Sequence, residues 1–422
     1  MKLSTYQNTA KEILKINDFG GYTVPTKGLY PFQWNWDSAI TALGWMYVDE
    51  KRAWKEIEML IAGQWQNGML PHIIFHQESD TYFPGPDVWG AGEKLHSTSI
   101  SQPPIVASMM LEMAAIATDK PLLESKLKAM LPAIVDYHLW WYRDRDPQNT
   151  GLVSSYHPWE SGMDNSPAWD DALAAVPQVE WEYQRRDLNH VDSDQRPHKA
   201  QYDRYLYLVD FFKKSNFDPQ IIYQNCPYKV QDIGIIAMLY KATLDLLTLC
   251  QQFKIEHQGL DQLSKELELT EQAIDQLWSD ETQFYHSRNT ITNELCLDQT
   301  SAGFMTVYAG LSSPEKTQIL TECAQTWANS SQYSLASTIP SSEKYEPQRY
   351  WRGPIWLHIN WMIAQGFEKS NQNFIAEKLQ QDAKALLKES GFFEYFHADS
   401  GQGCGGDNFS WTAAIALHWI LK

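Results

Sequence analysis

Apolar residues in this chain recur three and four apart in runs that come in pairs, and that pattern leaves few folds open to it. From Asp37 the positions Ile40, Leu43 and Tyr47 keep one helical face, with Asp37 or Ser38 placed to cap. A second run follows directly, with Trp54, Ile57, Ile61 and Trp65 on one side, and Asn67-Gly68 closes it. The same unit predicts helices near residues 100–117 and 122–143, 228–252 and 260–278, 301–310 and 314–328, and 354–366 and 371–389. A helix near residues 4–17 opens the series and one from Ser410 to Leu421 ends it. Alternating strands are scarce and no Pro/Ser-rich linker intervenes, so residues 1–422 read as one all-α domain of antiparallel hairpins. A closed ring of such hairpins gathers the long loops, near 67–98, 145–200 and 329–351, at one end, where a site is expected.

Composition narrows the ligand. The chain carries 18 Trp and 21 Tyr, which serve either as large buried side chains with polar tips or as aromatic platforms. Sugars, whose C–H faces lie flat on rings, suit such platforms. A formal charge of −18 with no dense Lys/Arg cluster disfavours nucleic acid and anionic membranes as partners. Five cysteines, odd in number and without CxxC spacing, read as reduced thiols of a cytoplasmic protein. Met1 to Gln7 lead into a polar amphipathic helix instead of an apolar signal core, and no run of about 18 apolar residues is evident, so no membrane span is expected.

Pro158-Trp159-Glu160-Ser161-Gly162-Met163-Asp164-Asn165-Ser166-Pro167 fits no amphipathic period, and its polar groups need another reason to lie between helical parts. Asp164 stands outside any helix, and Gly162 lets backbone approach a ligand. A plainer role is also open: Asp164 or Ser166 capping a short helix that starts near Pro167. With Trp159 and Glu160 beside it, Asp164 is the better candidate for an acid. Glu394 lies in Gly391-Phe392-Phe393-Glu394-Tyr395-Phe396, where desolvation by rings raises a carboxyl's pKa; an outward-pointing Glu between buried rings is equally open. Arg352 and Trp356 flank a helix start at Pro354, and Gln102 in Ser101-Gln102-Pro103-Pro104 suits a hydroxyl. The glycine-rich Gly401 to Thr412 stretch lacks the context of a phosphate loop. His72 and His76, spaced four apart, lack the HExxH pattern and read as structural. No Gly-x-Ser-x-Gly element supports a serine hydrolase.

Five segments in order, Tyr30 to Asp37, Ser101 to Pro104, Trp159 to Pro167, Tyr350 to Trp356 and Phe409 to Thr412, resemble the motifs of glycoside hydrolase family 63, with related versions in family 37 trehalases. The resemblance implies an (α/α)6 barrel and an inverting, exo-acting α-glycosidase that needs no cofactor. The chain's length looks most like the hydrolases of mannosylglycerate and glucosylglycerate. By motif position it places the general acid on Asp164 and the general base on Glu394, with Trp36 and Asp37 on the sugar. Trp34, Gln102, Trp159, Glu160, Tyr350, Trp351, Arg352, Trp356 and Trp411 join them as substrate contacts, with Glu160 and Trp159 tuning the acid. Arg196 and Tyr202 are the implied glycerate contacts, and Tyr30 and Tyr82 close over the sugar. Precedent among similar hydrolases implies a homodimer or homotetramer. One departure is that the base segment lacks the usual Asn or Asp-Pro after Glu-x-Tyr. An α-glucosidase or trehalase acting on oligosaccharides or trehalose is the alternative within the class, and an (α/α)6 epimerase working through paired histidines and a non-catalytic sugar-binding protein are the alternatives of other classes.

Overall fold

In a computed structural model that describes residues 3–421, the helical pairs close into a double ring. The inner ring runs Asn35–Trp45, Val106–Ile116, Ile233–Phe253, Met305–Ala309, Leu357–Lys369 and Ser410–Ile415, each packed on the next and the last packed back on the first. Outside stand Leu3–Ile16, Glu50–Ala62, Lys120–Arg145, Leu260–Ala273, Pro314–Ala328 and Asn373–Ser390. The fold is an (α/α)6 barrel. Asn35–Trp45 and Ser410–Ile415, enclosed on every side within the inner ring, bury every residue. Outer helices bury one stripe, as Ala53, Trp54, Ile57 and Leu60 do on Glu50–Ala62.

Side-chain caps start several of these helices. Asp49 accepts from the backbone N–H groups of Lys51 and Arg52, and Asp232 from those of Gly234 and Ile235. The ring is sealed where the chain's two ends meet. Asn17 Nδ2 donates to the Asn408 carbonyl at 2.8 Å and to Ser410 Oγ at 2.9 Å, and Ser410 N donates to the Pro25 carbonyl at 2.9 Å.

Three features differ from the sequence expectation. Lys199–Lys214 is a further helix outside the hairpin series, folded because Tyr202, Tyr205, Leu206, Val209 and Phe212 form a buried stripe. On it Arg204 Nη1 donates to the Ala200 carbonyl at 2.8 Å, Asp203 takes Lys199, and Asp210 takes the Trp181 indole N–H. The last helix widens into a π turn over Ala416–Ile420. Ile233–Phe253 is long and apolar enough to cross a bilayer by composition, against the expectation that no such run is present; here it is largely buried as an inner helix of the barrel.

Glu160, expected beside the substrate, lies instead in the protein interior. Its carboxylate accepts from Arg145 Nη2 at 2.6 Å and Nε at 3.1 Å, from Tyr156 N at 2.8 Å and from Ser101 N at 3.4 Å. The Arg145 guanidinium is in turn held over the rings of Trp140 and Tyr156 at 4.6 and 4.7 Å. Both side chains are buried, 4% and 0% exposed, so removing one partner strands the other's charge out of water. Glu160→Ala is expected to lower the unfolding free energy by about 3–5 kcal/mol in urea titration, and Arg145→Met with Glu160→Met together by clearly less.

Candidate active site

The inner helices present their N-terminal ends to one pocket. Trp36 and Asp37 come from the first turn of Asn35–Trp45, Trp411 from the first turn of Ser410–Ile415, and Gln102 and Trp351 from segments just before Val106–Ile116 and Leu357–Lys369.

The acidic loop builds one wall. After a 3-10 turn over Pro158–Ser161 the chain reverses at Gly162, whose φ is 69°. A Cβ there would meet the Trp36 ring at 2.8 Å and Pro103 at 2.9 Å, so no other residue fits. Ser166 takes the plain capping role, accepting from Ala168 N. That leaves the Asp164 carboxyl free, and no other residue's hydrogen bond reaches it among the described residues. Burial raises its pKa to about 7; the Arg196 charge pulls down and the Glu394 charge pushes up. Tyr205 Oη donates to the Asp164 carbonyl at 2.8 Å, and Trp169 Nε1 to the Met163 carbonyl at 2.7 Å, which fixes the backbone.

Glu394 forms the other wall, just before the Tyr395–Phe396 strand that pairs with Gly403–Cys404. Its Oε1 accepts from Tyr30 Oη at 2.9 Å and its Oε2 from Gly406 N at 3.1 Å. Trp411 Nε1 anchors its carbonyl at 3.0 Å. Gly405 has φ of 70°, and a Cβ on it would lie 2.2 Å from Oε2. The glycine stretch that does not suit a phosphate therefore wraps a carboxylate. Burial raises the Glu394 pKa against the opposing Arg196 charge. Asp37, also facing the pocket, is raised well above the usual range by burial and then by Glu394.

Arg196 spans the two walls. Its Nη1 donates to Tyr30 Oη at 2.7 Å and lies 4.0 Å from Glu394 Oε1, its Nε donates to Asp187 at 3.1 Å, and its plane covers the Tyr350 ring at 4.3 Å. Tyr202 donates to the Phe83 carbonyl at 2.7 Å, beside Tyr82, Trp34 and Trp159 on the same pocket surface. Gln102 Oε1 accepts from Trp36 N at 3.2 Å, and Trp36 meets Trp411 edge-on at 5.7 Å.

Three expected contacts lie outside the pocket lining. Glu160 is bound to Arg145 in the interior, too committed to tune the acid. Arg352 forms a two-pronged pair with Asp170 at 2.9 and 3.0 Å and reaches the Asn165 carbonyl, so it clamps the acid's loop. Trp356 stacks behind Trp351 at 3.8 Å.

Other lining residues escaped the sequence reading. Asp187 and Phe83 carried no motif, and Phe409 opens the last of the five segments without having been read as a contact. His72, read as structural, lines the pocket with Nδ1 unpaired among the described residues; pairing of Gln33–Trp34 with Ile73–Ile74 brings it beside Trp34, a register that two-residue strands do not announce. His157, next to the acid loop, is occupied: its Nδ1 accepts from Trp159 N and its Nε2 reaches the Tyr205 carbonyl, both at 3.0 Å.

Residues 30–412 match the family described as the mannosylglycerate hydrolase MGH1-like glycoside hydrolase domain. The chain belongs to that family. It is 43% identical to a mannosylglycerate hydrolase of Thermus thermophilus, over 97% of this chain and 99% of the relative. Mannosylglycerate hydrolase MGH1 of Selaginella moellendorffii is 42% identical over 98% of this chain and 85% of its own. The crystal structure of the family 63 mannosylglycerate hydrolase from another strain of Thermus thermophilus, in complex with Tris and D-glycerate, superposes with a TM-score of 0.95 at 42% identity, covering 98% of this chain and 99% of that one.

This glycoside hydrolase keeps its free carboxyl at a cost in stability. Between about pH 4 and pH 7 native Asp164 holds a proton that the unfolded chain has released, so its contribution to stability falls as pH rises through that window. Asp164→Asn removes the penalty. Urea titration is expected to show the variant more stable than the parent by about 1–2 kcal/mol at pH 8, after allowance for screening by pocket water, and equal to it at pH 4.

Proposed function

We propose that this hydrolase cleaves mannosylglycerate to mannose and glycerate with inversion at the anomeric carbon. The observation that carries the reading is the placement of Arg196, the one Lys or Arg among the pocket's lining residues, beside Tyr30 and Glu394. A glycerate carboxylate entering a pocket with four acidic residues requires such a cation. The family's relatives, among them one crystallised with D-glycerate, support the same substrate.

Asp164, protonated near neutral pH, delivers its proton to the glycosidic oxygen as the bond to C1 breaks. Glu394, ionised and oriented by Tyr30 and Gly406, takes a proton from the water that attacks C1 on the opposite face. An α-mannoside thus gives β-mannose, while glycerate leaves as the alcohol. Trp36, Trp351 and Trp411 offer apolar surface to the sugar, and Asp37 and Gln102 receive its hydroxyls. Tyr82 and Tyr202 join Arg196 around the glycerate.

Proton NMR of the purified protein with mannosylglycerate is expected to show β-mannose first and α-mannose only by later mutarotation; α-mannose first would sink the inverting assignment. Asp164→Asn is expected to lower kcat about 10²–10⁴-fold. Loss of the charged contact in Arg196→Ala is expected to raise KM for mannosylglycerate roughly 10–100-fold in steady-state assays. An unchanged KM rules out Arg196 as the carboxylate's partner.

A further inference from the structure

The guanidinium of Arg196 has five N–H donors, and the protein uses few of them. Nε goes to Asp187 and Nη1 to Tyr30, while Nη2 has no hydrogen-bond partner among the described residues. Asp187 is itself shared with Arg185, at 2.5 and 3.0 Å, so the carboxylate that steadies Arg196 is already divided between two cations. On its other side Arg196 reaches the base through one bridging hydroxyl: Nη1 to Tyr30 Oη is 2.7 Å and Tyr30 Oη to Glu394 Oε1 is 2.9 Å. The charge therefore bears on catalytic groups and anion-binding groups at once.

Asp164 shares the pocket lining with Arg196, Glu394, Tyr82 and Tyr350, and the Tyr205 hydroxyl donates to its main-chain carbonyl. The groups that face Arg196 are Tyr30, Tyr350, Asp187 and Glu394, with Tyr82 and Tyr202 beside them. The tyrosines are all held well above their ordinary range by burial and stay neutral. Arg196 is the one positive charge among the pocket's lining residues, with Arg185 outside the lining on the same Asp187 carboxylate, and it favours loss of the proton from Asp164. It is also the one charge that an anionic ligand cancels.

Building on the assignments of Asp164 as acid and Arg196 as the glycerate contact, we propose that Arg196 makes the site sense the charge of the leaving group. A carboxylate seated on Nη2 neutralises the cation that shares the pocket with the two catalytic carboxyls, and so keeps the proton on Asp164 until the glycosidic oxygen takes it. A glycoside of the same sugar with an uncharged aglycone leaves the cation uncompensated. Asp164 then ionises at lower pH, and the bound substrate waits on an acid that has lost its proton. Selection for anionic glycosides acts in this way on kcat as well as on binding.

The test compares mannosylglycerate with mannosylglycerol, which lacks only the charge. The alkaline limb of the kcat profile reports the acid in the enzyme–substrate complex. That limb is expected roughly one pH unit higher for mannosylglycerate than for mannosylglycerol. Arg196→Lys is expected to leave both limbs in place, and Arg196→Gln to raise the mannosylglycerol limb to about where the parent's mannosylglycerate limb lies; a mannosylglycerol limb unmoved in Arg196→Gln overturns the proposal. Coincident limbs in the parent enzyme overturn the charge-sensing role and leave the hydrolase assignment standing. A second measurement does not depend on turnover: ¹³C NMR titration of the Asp164 carboxyl, assigned by its loss in Asp164→Asn, with saturating D-glycerate or glycerol. The midpoint is expected to rise with D-glycerate alone. An unmoved midpoint with D-glycerate bound, as followed by calorimetry, overturns the proposal. Failure of D-glycerate to bind at all overturns it together with the substrate reading.

Discussion

The carboxylate of Glu160 ties together three stretches with no sequence neighbourhood in common: the end of Lys120–Arg145 through the Arg145 guanidinium, the turn at Tyr156, and Ser101 ahead of the inner helix Val106–Ile116. Burying an ion pair costs several kcal/mol per charge, and here that desolvation is offset by several donors on one carboxylate and by the rings around the guanidinium. With Glu160 fully engaged, the loop has one rigid foot inside the barrel. The Arg352–Asp170 pair is the other foot. Between them Asp164 is carried over the pocket with no other described residue hydrogen-bonded to its carboxyl, which suits the proposed proton donor.

The pocket is therefore a place where the protein sustains local instability. Asp37, Asp164 and Glu394 are all raised by burial, and His72 is kept neutral for the same reason. Such an arrangement persists because the surrounding double ring, with Asn35–Trp45 and Ser410–Ile415 buried on every side, has stability to spare for it. Glycines at 162 and 405 show the same compromise in steric form. Each leaves just enough room for an indole or a carboxylate that any side chain would displace.

Much of this was legible in the sequence because helical periodicity survives any tertiary context in which one face is buried. The hairpin series Asn35–Trp45 with Glu50–Ala62, or Leu357–Lys369 with Asn373–Ser390, lies within a few residues of the bounds read from apolar spacing. Lys199–Lys214 stands outside that series because its buried stripe opens on Tyr202 and Tyr205, a residue type that suits a pocket wall as well as a helix face. In the site, motif residues such as Asp164, Glu394 and Arg196 do converge. Glu160 misled because an acid near an acid looks like a tuning pair, and nothing in the sequence reveals that Arg145 claims it. Asp187 and His72 had no local signal, since each reaches the pocket through contacts made by distant chain: Asp187 through Arg196, His72 through the strand pairing beside Trp34.

The way the ring is sealed bears on how the molecule comes into being on the ribosome. The acid, its loop and Arg196 all precede Phe217 in the chain, whereas Glu394 is held by Gly406 and Trp411, which take their place when Ser410–Ile415 seats against Asn35–Trp45. The contact that closes the barrel, locked by Asn17 on Ser410, is thus the contact that positions the carboxylate proposed to activate water. A nascent chain therefore carries Asp164 and Arg196 well before Trp351, Glu394 and Trp411, and the pocket is complete only when the barrel closes.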